Sequence, residues 1–138
     1  MTTMLNPYLS FRDTARQAME FYQSVFGGEL TTSTFGEFQV SDDPAEKDKL
    51  MHGQLTAEGG LILMGADTPN AIPLTPGNNY SVSLSGDDES TLRGYWDKLS
   101  AGGNITMPLE KAPWGDWFGM LSDKFGVSWL VNVTGTPQ

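Results

Sequence analysis

The chain has 138 residues and no cysteine, and 8 basic residues against 17 acidic ones give it a formal net charge of −9 at pH 7. This length supports one domain with its own core, and the missing cysteine excludes disulfides, thiolate metal sites and cysteine nucleophiles. The acidity argues against nucleic acid and against an anionic membrane surface as partners, because both attract clustered Lys and Arg.

The first half of the chain predicts a helix that follows one strand and precedes three others. A strand-like segment over 5–11 comes before a helical pattern over 14–26, in which apolar residues recur about every 3.6 positions. Thr14 and Gln17 have the spacing of a capping box, and the helix is predicted to end at Gly27-Gly28. The three further strands are predicted over 29–38, 50–57 and 61–66.

The second half repeats this order. Residues 80–85 alternate between apolar residues and serines, which predicts a strand. Asp88 is positioned to cap a helix over 88–101, and the helix is predicted to end at Gly102-Gly103. The last three strands are predicted over 104–109, 117–122 and 127–133.

The two halves therefore resemble a diverged tandem repeat. The pairs Gly27-Gly28 and Gly102-Gly103 are 75 residues apart, whereas Gly60 and Gly126, which precede the last strand of each half, are 66 apart. The difference is accounted for by the nine polar or small residues 41–49 of the first half, which predict an exposed loop.

The proline-rich connection 67–79 predicts an extended crossover between two modules, the first over about 4–68 and the second over about 79–134. Each module is a βαβββ unit, so the predicted fold class is α+β with mixed sheets. A single module has one covering helix and two open sheet edges, which is too little for stability. We therefore expect the two modules to pack together as a single domain over 1–138.

Alternation along the strands predicts which face of each sheet meets its helix. Leu5, Leu9 and Phe11 of the first strand are expected on the helix side, as are Met51 and Leu55 of the third strand. The opposite face is expected to be unusually polar and to line a cleft. Its polar side chains would be those of Asn6, Tyr8, His52, Gln54, Thr56, Ser81 and Ser83.

Three segments carry a resemblance to a known family. They are Met51-His52-Gly53-Gln54-Leu55, Trp114-Gly115-Asp116-Trp117-Phe118-Gly119 and Asp123-Lys124-Phe125-Gly126-Val127-Ser128-Trp129. With the βαβββ repeat, they resemble the vicinal oxygen chelate superfamily, and within it the PhnB-like branch of the glyoxalase and bleomycin-resistance proteins. The resemblance implies curved sheets that enclose a cleft, usually completed in a homodimer. Some relatives bear a methyltransferase label, although this chain contains no Gly-rich nucleotide turn.

The resemblance also implies where a metal ion would bind. Glyoxalase-type members hold a divalent ion with side chains on the first and last strands of both modules. These positions fall here on Asn6, Met64, Ser81 and Leu130, and a shift of one residue in the last strands substitutes Leu63 and Trp129. None of these residues is a histidine or a carboxylate, the donors that such ions require. We therefore expect no metal and no other cofactor.

His52 is the only imidazole of the chain and lies on the predicted polar face, where it could act as a general base or orient a ligand. The alternative is a structural histidine whose hydrogen bond ties its strand to a loop. Tyr8, Gln54, Ser81 and Ser83 could place polar groups in the cleft, and ordinary strand alternation is an equally good explanation of them.

Trp114, Asp116 and Trp117 form an aromatic and acidic cluster after Pro113. Aromatic faces beside a carboxylate suit a flat or cationic molecule. The alternatives are that Trp117 faces the helix and that Gly115 marks only a β-bulge. The family more often has a basic residue at the position of Trp117, so a site for an anionic substrate group would be lost in this chain.

Three functions fit these observations. The first is a homodimeric binding protein that sequesters a small aromatic or cationic molecule. The second is an enzyme of the lyase or isomerase type, which acts on a carbonyl or enolisable substrate with His52 as its base. The third keeps a metal ion through His52 together with Glu37 or Asp116. No apolar segment has the length of a membrane span, and no signal peptide is recognisable, so we expect a cytoplasmic protein.

Overall fold

In the computed structural model, which describes residues 3–38 and 43–135, each half of the chain forms the predicted βαβββ module. The chain divides within the predicted crossover into the units Met1–Thr75 and Pro76–Gln138. Each unit contains a four-stranded mixed sheet, whose first strand runs parallel to its last strand while the other neighbours are antiparallel. The predicted α+β class and the duplicated strand order are thereby confirmed.

The first module contains β1 (Tyr8–Phe11), α1 (Ala15–Phe26), β2 (Glu29–Thr34), the short helix α2 (Phe35–Phe38), β3 (Leu50–Ala57) and β4 (Leu61–Asp67). The strand order in its sheet is β1-β4-β3-β2. Helix α1 packs on β3 and β4 with a fully buried face that includes Ala18, Met19 and Tyr22. Gly53 and Gly65 lie under Met19, where an added Cβ atom would come within 3.3 Å of the Met19 side chain at Gly53 and within 3.0 Å at Gly65.

The second module contains β5 (Val82–Gly86), α3 (Glu89–Ser100), β6 (Asn104–Lys111), β7 (Trp117–Ser122) and β8 (Ser128–Val133). Its strand order, β5-β8-β7-β6, repeats that of the first sheet. Leu99 of α3 is fully buried, as are Leu121, Trp129 and Val131 of the sheet. The Asp88 carboxylate accepts a hydrogen bond from the Thr91 backbone N–H at 3.1 Å, which confirms the predicted cap of this helix.

Helix α1 is capped differently from the prediction. The Thr14 side chain makes no capping hydrogen bond, so the predicted capping box is wrong. Instead, the buried Asp67 at the end of β4 accepts hydrogen bonds from the backbone N–H of Ala15 and that of Leu50, both at 3.0 Å. One carboxylate thus accepts the backbone N–H groups at the start of the helix and at the start of β3.

Two predicted strands of the first module are shorter than expected. Strand β1 begins at Tyr8, and Leu5, which was expected to face the helix, is fully exposed. Pro7 has no N–H to donate and directly precedes the strand. Strand β2 ends at Thr34, where the chain turns into α2 because the Phe35 side chain is buried and its N–H binds the Lys49 carbonyl.

The predicted exposed loop 41–49 is only partly exposed. Residues 41 and 42 lie outside the described residues, and Pro44–Glu46 form a single 3₁₀ turn. Glu46 is buried, and its carboxylate accepts a hydrogen bond from the Asn70 backbone N–H at 2.9 Å. Lys49 bridges this carboxylate and that of Asp13, with Nζ to oxygen distances of 3.5 and 2.6 Å. The loop is therefore tied to the crossover and to the β1-α1 turn.

Strand β3 contains a β-bulge that the alternation pattern does not predict. His52 pairs with Ser33, whereas Thr34 pairs with Leu50, so Met51 is an extra residue between them. Leu50 is fully buried next to Met19 and Gly53, while Met51, which was expected on the helix side, is only half-buried. The bulge rotates Leu50 into the core and keeps Leu55 buried as predicted.

The turn between β7 and β8 is organised by Asp123. Its carboxylate accepts hydrogen bonds from the backbone N–H groups of Phe125 and Val127, and from the Trp129 indole at 2.9 Å. Gly126 has a φ of +87°, which favours glycine at this position. Within residues 3–38 and 43–135, no helix has both the length and the apolar character needed to cross a membrane.

Candidate functional site

The first open face is the face of the first sheet that is turned away from α1. Strand register places Tyr8, Met64, Gln54 and Thr31 in one row across the four strands. His52 is paired with Ser33 on the same face. Because residues directly opposite each other in neighbouring strands share a face, the structure brings the predicted residues Tyr8, His52 and Gln54 together.

Tyr8 and His52 lie close together on the first open face. Their rings lie 5.8 Å apart with an angle of 32° between the planes, and 51% of the Tyr8 residue is exposed. Desolvation raises the pKa of the Tyr8 phenol above its usual 10.0, so the hydroxyl keeps its proton and can donate it in a hydrogen bond.

The imidazole of His52 makes no hydrogen bond with any residue in the described part of the chain, and its role stays a prediction. The Gln54 amide donates to Thr56 Oγ1, and Thr31 Oγ1 donates to the Gln54 carbonyl, both at a long 3.5 Å. The polar groups of this face are therefore only weakly engaged with one another. Their individual roles stay predictions.

The second open face is the face of the second sheet that is turned away from α3. One row across the strands contains Ser83, Leu130, Met120 and Met107, and the next contains Ser85, Asn132, Phe118 and Glu110. Ser83 is exposed within β5, whereas Ser81 lies before the strand and is half-buried. The centre of this face is apolar, unlike that of the first open face.

Trp114 stands at one end of the second open face. Its ring contacts the Phe118 ring edge-on, with centroids 5.8 Å apart and an interplanar angle of 65°, and yet 63% of Trp114 is exposed. The turn that carries it is closed by a 2.7 Å hydrogen bond from the Ala112 N–H to the Asp116 carbonyl, and Gly115 in the turn has a φ of +104°. Backbone geometry thus holds an exposed indole over the sheet.

Asp116 fixes this turn to the sheet. Its carboxylate accepts hydrogen bonds from the Asn132 amide at 3.0 Å and from the Gly135 backbone N–H at 2.9 Å. Hydrogen bonds to this carboxylate hold the pKa of Asp116 below its usual 3.8. The bond from the Gly135 backbone N–H has the largest effect, followed by those from the side chains of Asn132 and Trp114. The carboxylate is therefore ionised at neutral pH beside the Trp114 ring.

Trp117 does not belong to this cluster. Arg93 of α3 lies 4.9 Å from the centre of its ring, so Trp117 faces the helix, as the alternative interpretation predicted. The sequence interpretation missed Phe118 and Asn132, which hold Trp114 and Asp116 in place. Alternation within 117–122 and 128–133 would have placed both residues on the face of Ser83.

The positions where the superfamily holds its metal ion offer no clustered donors. Met64 lies opposite Tyr8 and Leu130 opposite Ser83 in the strand register, while Asn6 and Ser81 precede their strands. Throughout the described ranges, no group of three His, Asp or Glu side chains is placed to hold an ion. The hypothesis of a metal held by His52 with Glu37 or Asp116 stays a hypothesis.

Comparison with known proteins places the chain among related sequences over nearly its whole length. A family model described as 3-demethylubiquinone-9 3-methyltransferase matches residues 3–132. Protein YjdN of Escherichia coli K12 is 31% identical over 140 residues, which cover 94% of this chain and 94% of YjdN.

Solved structures show the same likeness. Protein PA1353 from Pseudomonas aeruginosa superimposes with a TM-score of 0.82 and 34% identity, covering 98% of this chain and all of that one. The PhnB protein from Bacillus cereus has a TM-score of 0.73 and 28% identity, covering 96% of this chain and all of its own. A glyoxylase/bleomycin resistance protein/dioxygenase domain from Frankia, with a TM-score of 0.64 and 16% identity over 96% of this chain and 98% of its own, shares the fold.

Proposed function

This chain belongs to the PhnB-like family of the vicinal oxygen chelate superfamily, and from that membership we propose that it binds a small molecule on the open faces of its sheets. The methyltransferase activity in the family description is not part of the proposal. Transfer of a methyl group requires a site for its donor, and no Gly-rich nucleotide turn occurs in the sequence.

The observation that carries the proposal is the exposed and yet fixed ring of Trp114. A large aromatic side chain that is 63% exposed loses the free energy that burial would give it. Trp114 is nevertheless held by the Phe118 ring and by the turn that Asp116 ties to Asn132 and Gly135. A ring that is fixed before binding costs little conformational entropy when a ligand covers it.

A thermal-shift screen of small aromatic and cationic compounds tests the proposal, because a ligand that binds only the folded protein raises its melting temperature. We expect Trp114→Ala to abolish the shift given by a compound that stabilises the wild-type protein. Phe38→Ala is the matched control, since Phe38 is a similarly exposed aromatic residue, 59% accessible, outside both open faces. Equal shifts in the wild type and in Trp114→Ala, for every compound found, would contradict the proposal.

A second candidate function is an enzyme of the lyase or isomerase type that uses His52 as its base. The observation in its favour is the contact between the His52 and Tyr8 rings, because the Tyr8 hydroxyl could stabilise a developing negative charge on a substrate oxygen. In that case His52→Ala abolishes turnover while the melting temperature of the unliganded protein is unchanged. Under the binding function, His52→Ala has little effect on affinity and Trp114→Ala has a large one.

Homodimer formation and a cytoplasmic location are further parts of the proposal. Each sheet has two edge strands, and a module with one covering helix gains stability from a partner surface. Analytical ultracentrifugation at micromolar concentration should give twice the mass of the 15.0 kDa chain. A sedimenting species of the mass of one chain would contradict the dimer, and recovery in the membrane or extracellular fraction of cells would contradict the location.

A further inference from the structure

The centre of the second open face is a strip of flexible apolar side chains. Leu130 and Met120 are paired in the register and only half-buried, although β8 and β7 are the inner strands of the sheet. Met107 continues the row on β6 and is 46% exposed. Thioether side chains are unbranched and polarizable, so they adapt to the outline of a flat ring.

Aromatic rings border this strip at one end. Phe118 lies one row away from Met120, and the exposed Trp114 ring stands edge-on to it. A planar molecule on this strip would therefore contact the Trp114 ring. Rings that are offset or edge-on to one another attract.

Two negatively charged side chains lie beside the strip. Glu110 is exposed and paired with Phe118 in the register, and the Asp116 carboxylate is fixed next to the Trp114 ring. Both oxygens of Asp116 are already engaged by Asn132 and Gly135, so this carboxylate acts on a ligand through its charge. The described strands form two rows on the second open face, and neither row contains a Lys or an Arg.

We propose that the ligand of the second open face is a flat organic cation, whose ring lies on Met107, Met120 and Leu130 against Trp114 and whose charge faces Glu110 and Asp116. The inference rests on the proposed function and makes it specific. Desolvated aromatic faces attract cations through their quadrupole, and nearby carboxylates add a Coulomb attraction that salt weakens. The first open face, with its hydroxyl, amide and imidazole groups, lacks this combination.

Three probes of one shape separate charge from shape: the N-methylacridinium cation, neutral acridine, and the acridine-9-carboxylate anion, titrated calorimetrically at mildly alkaline pH. We expect the cation to bind about tenfold more tightly than neutral acridine at low salt, and the anion most weakly. Raising the ionic strength should reduce the affinity for the cation only. Equal affinities for the cation and neutral acridine would overturn the inference.

Two matched variants test the placement. Met107 and Ile105 lie two residues apart on β6 and are both 46% exposed, but a register shift between them pairs Met107 with Met120 and Ile105 with the buried Leu121. Met107→Ala should lower the affinity for both the cation and neutral acridine several-fold. Ile105→Ala should change neither affinity. Equal effects of the two variants would overturn the placement.

Glu110→Gln provides the charge test at an exposed position, where folding is not at risk. It should lower the affinity for the cation and leave that for neutral acridine unchanged, and the opposite pattern would overturn the inference. If no acridine probe binds while other compounds give shifts that depend on Trp114, the inference fails and the proposed function stands. If no compound gives a shift that depends on Trp114, the proposed function itself fails.

Discussion

At the residue scale, the side chain of Asp67 ties helix α1 to strand β3. It is buried, and its two oxygens accept the backbone N–H groups of Ala15 and Leu50. We expect Asp67→Ala to lower the free energy of unfolding by about 2 to 4 kcal/mol, because it leaves buried donors unpaired.

Asp88→Ala is the control for this prediction, since Asp88 caps α3 from an exposed position. Its loss should cost only about 1 kcal/mol. Urea denaturation of both variants measures the difference, and a smaller effect for Asp67→Ala than for Asp88→Ala would contradict the prediction.

Asp116 makes stability depend on pH in the acid range. Its pKa is lowered in the folded protein from the usual 3.8, so the folded state binds this proton less readily than the unfolded chain does. The stabilisation is therefore complete above pH 3.8 and is lost as the pH falls through the folded pKa. We expect Asp116→Asn to show a flatter decline in melting temperature than the wild type below this pH.

Asn132→Ala removes one of the hydrogen bonds that lower the Asp116 pKa, and its melting profile should lie between those of the wild type and Asp116→Asn. Identical acid profiles for all three proteins would show that Asp116 does not contribute. Local sequence identified Asp88 and Asp116 as notable residues, but it did not identify Asp67, because its partner Ala15 is 52 residues away.

At the element scale, close contact between α3 and β7 depends on Gly119. A Cβ atom at Gly119 would lie 2.6 Å from the Trp96 ring and 2.8 Å from the Leu109 Cα. Gly119→Ala should therefore lower the free energy of unfolding by about 1 to 3 kcal/mol through overpacking.

Gly94, within α3, is the matched position, because an added Cβ there meets nothing within 4 Å. Gly94→Ala should raise the free energy of unfolding by about 0.4 to 1 kcal/mol, since alanine favours the helix and restricts the unfolded chain. Chemical denaturation gives both values. Shifts of the same sign in the two variants would contradict this account of the helix-sheet contact.

The elements themselves were largely predictable from the sequence. The spacing of apolar residues and the Gly-Gly pairs placed α1 and α3 to within one residue of their observed bounds, and β7 was predicted at its observed Trp117–Ser122. The β-bulge at Met51 and the turn of the chain after Thr34 were not predictable. Both depend on side chains packed from distant segments, which periodicity along one strand does not record.

The candidate site was predictable in part. Alternation grouped Tyr8, His52 and Gln54 on one face because that region of β3 follows the bulge and keeps its period of two. The second open face was harder to predict, because Trp114 and Asp116 lie in a turn, where strand alternation does not apply. Asn132 and Gly135, which fix them, come from the end of the chain.

At the scale of the whole molecule, the net charge of −9 implies repulsion among the acidic side chains. Salt screens exposed charges, with a Debye length of about 30 Å at 0.01 M and about 10 Å at 0.1 M. We expect the melting temperature at pH 7 to rise by about 2 to 4 °C over this range of sodium chloride.

A variant with Glu20→Gln and Glu58→Gln, at two exposed positions, should show a smaller rise. Scanning calorimetry of both proteins measures the difference. A melting temperature that falls with added salt would indicate instead that attractive ion pairs, such as Lys49 with Asp13, dominate the electrostatics of the fold.

The helices of the two modules are capped by residues that lie at very different distances along the chain. The cap of α3 comes from the adjoining Asp88, so that helix can be completed as soon as its own residues leave the ribosome. The cap of α1 comes from Asp67, and the first helix must wait for more than forty further residues to be synthesised. We therefore expect ribosome-bound chains that end before Asp67 to leave the Ala15 amide open to hydrogen exchange, and early protection of that amide would refute this order of events.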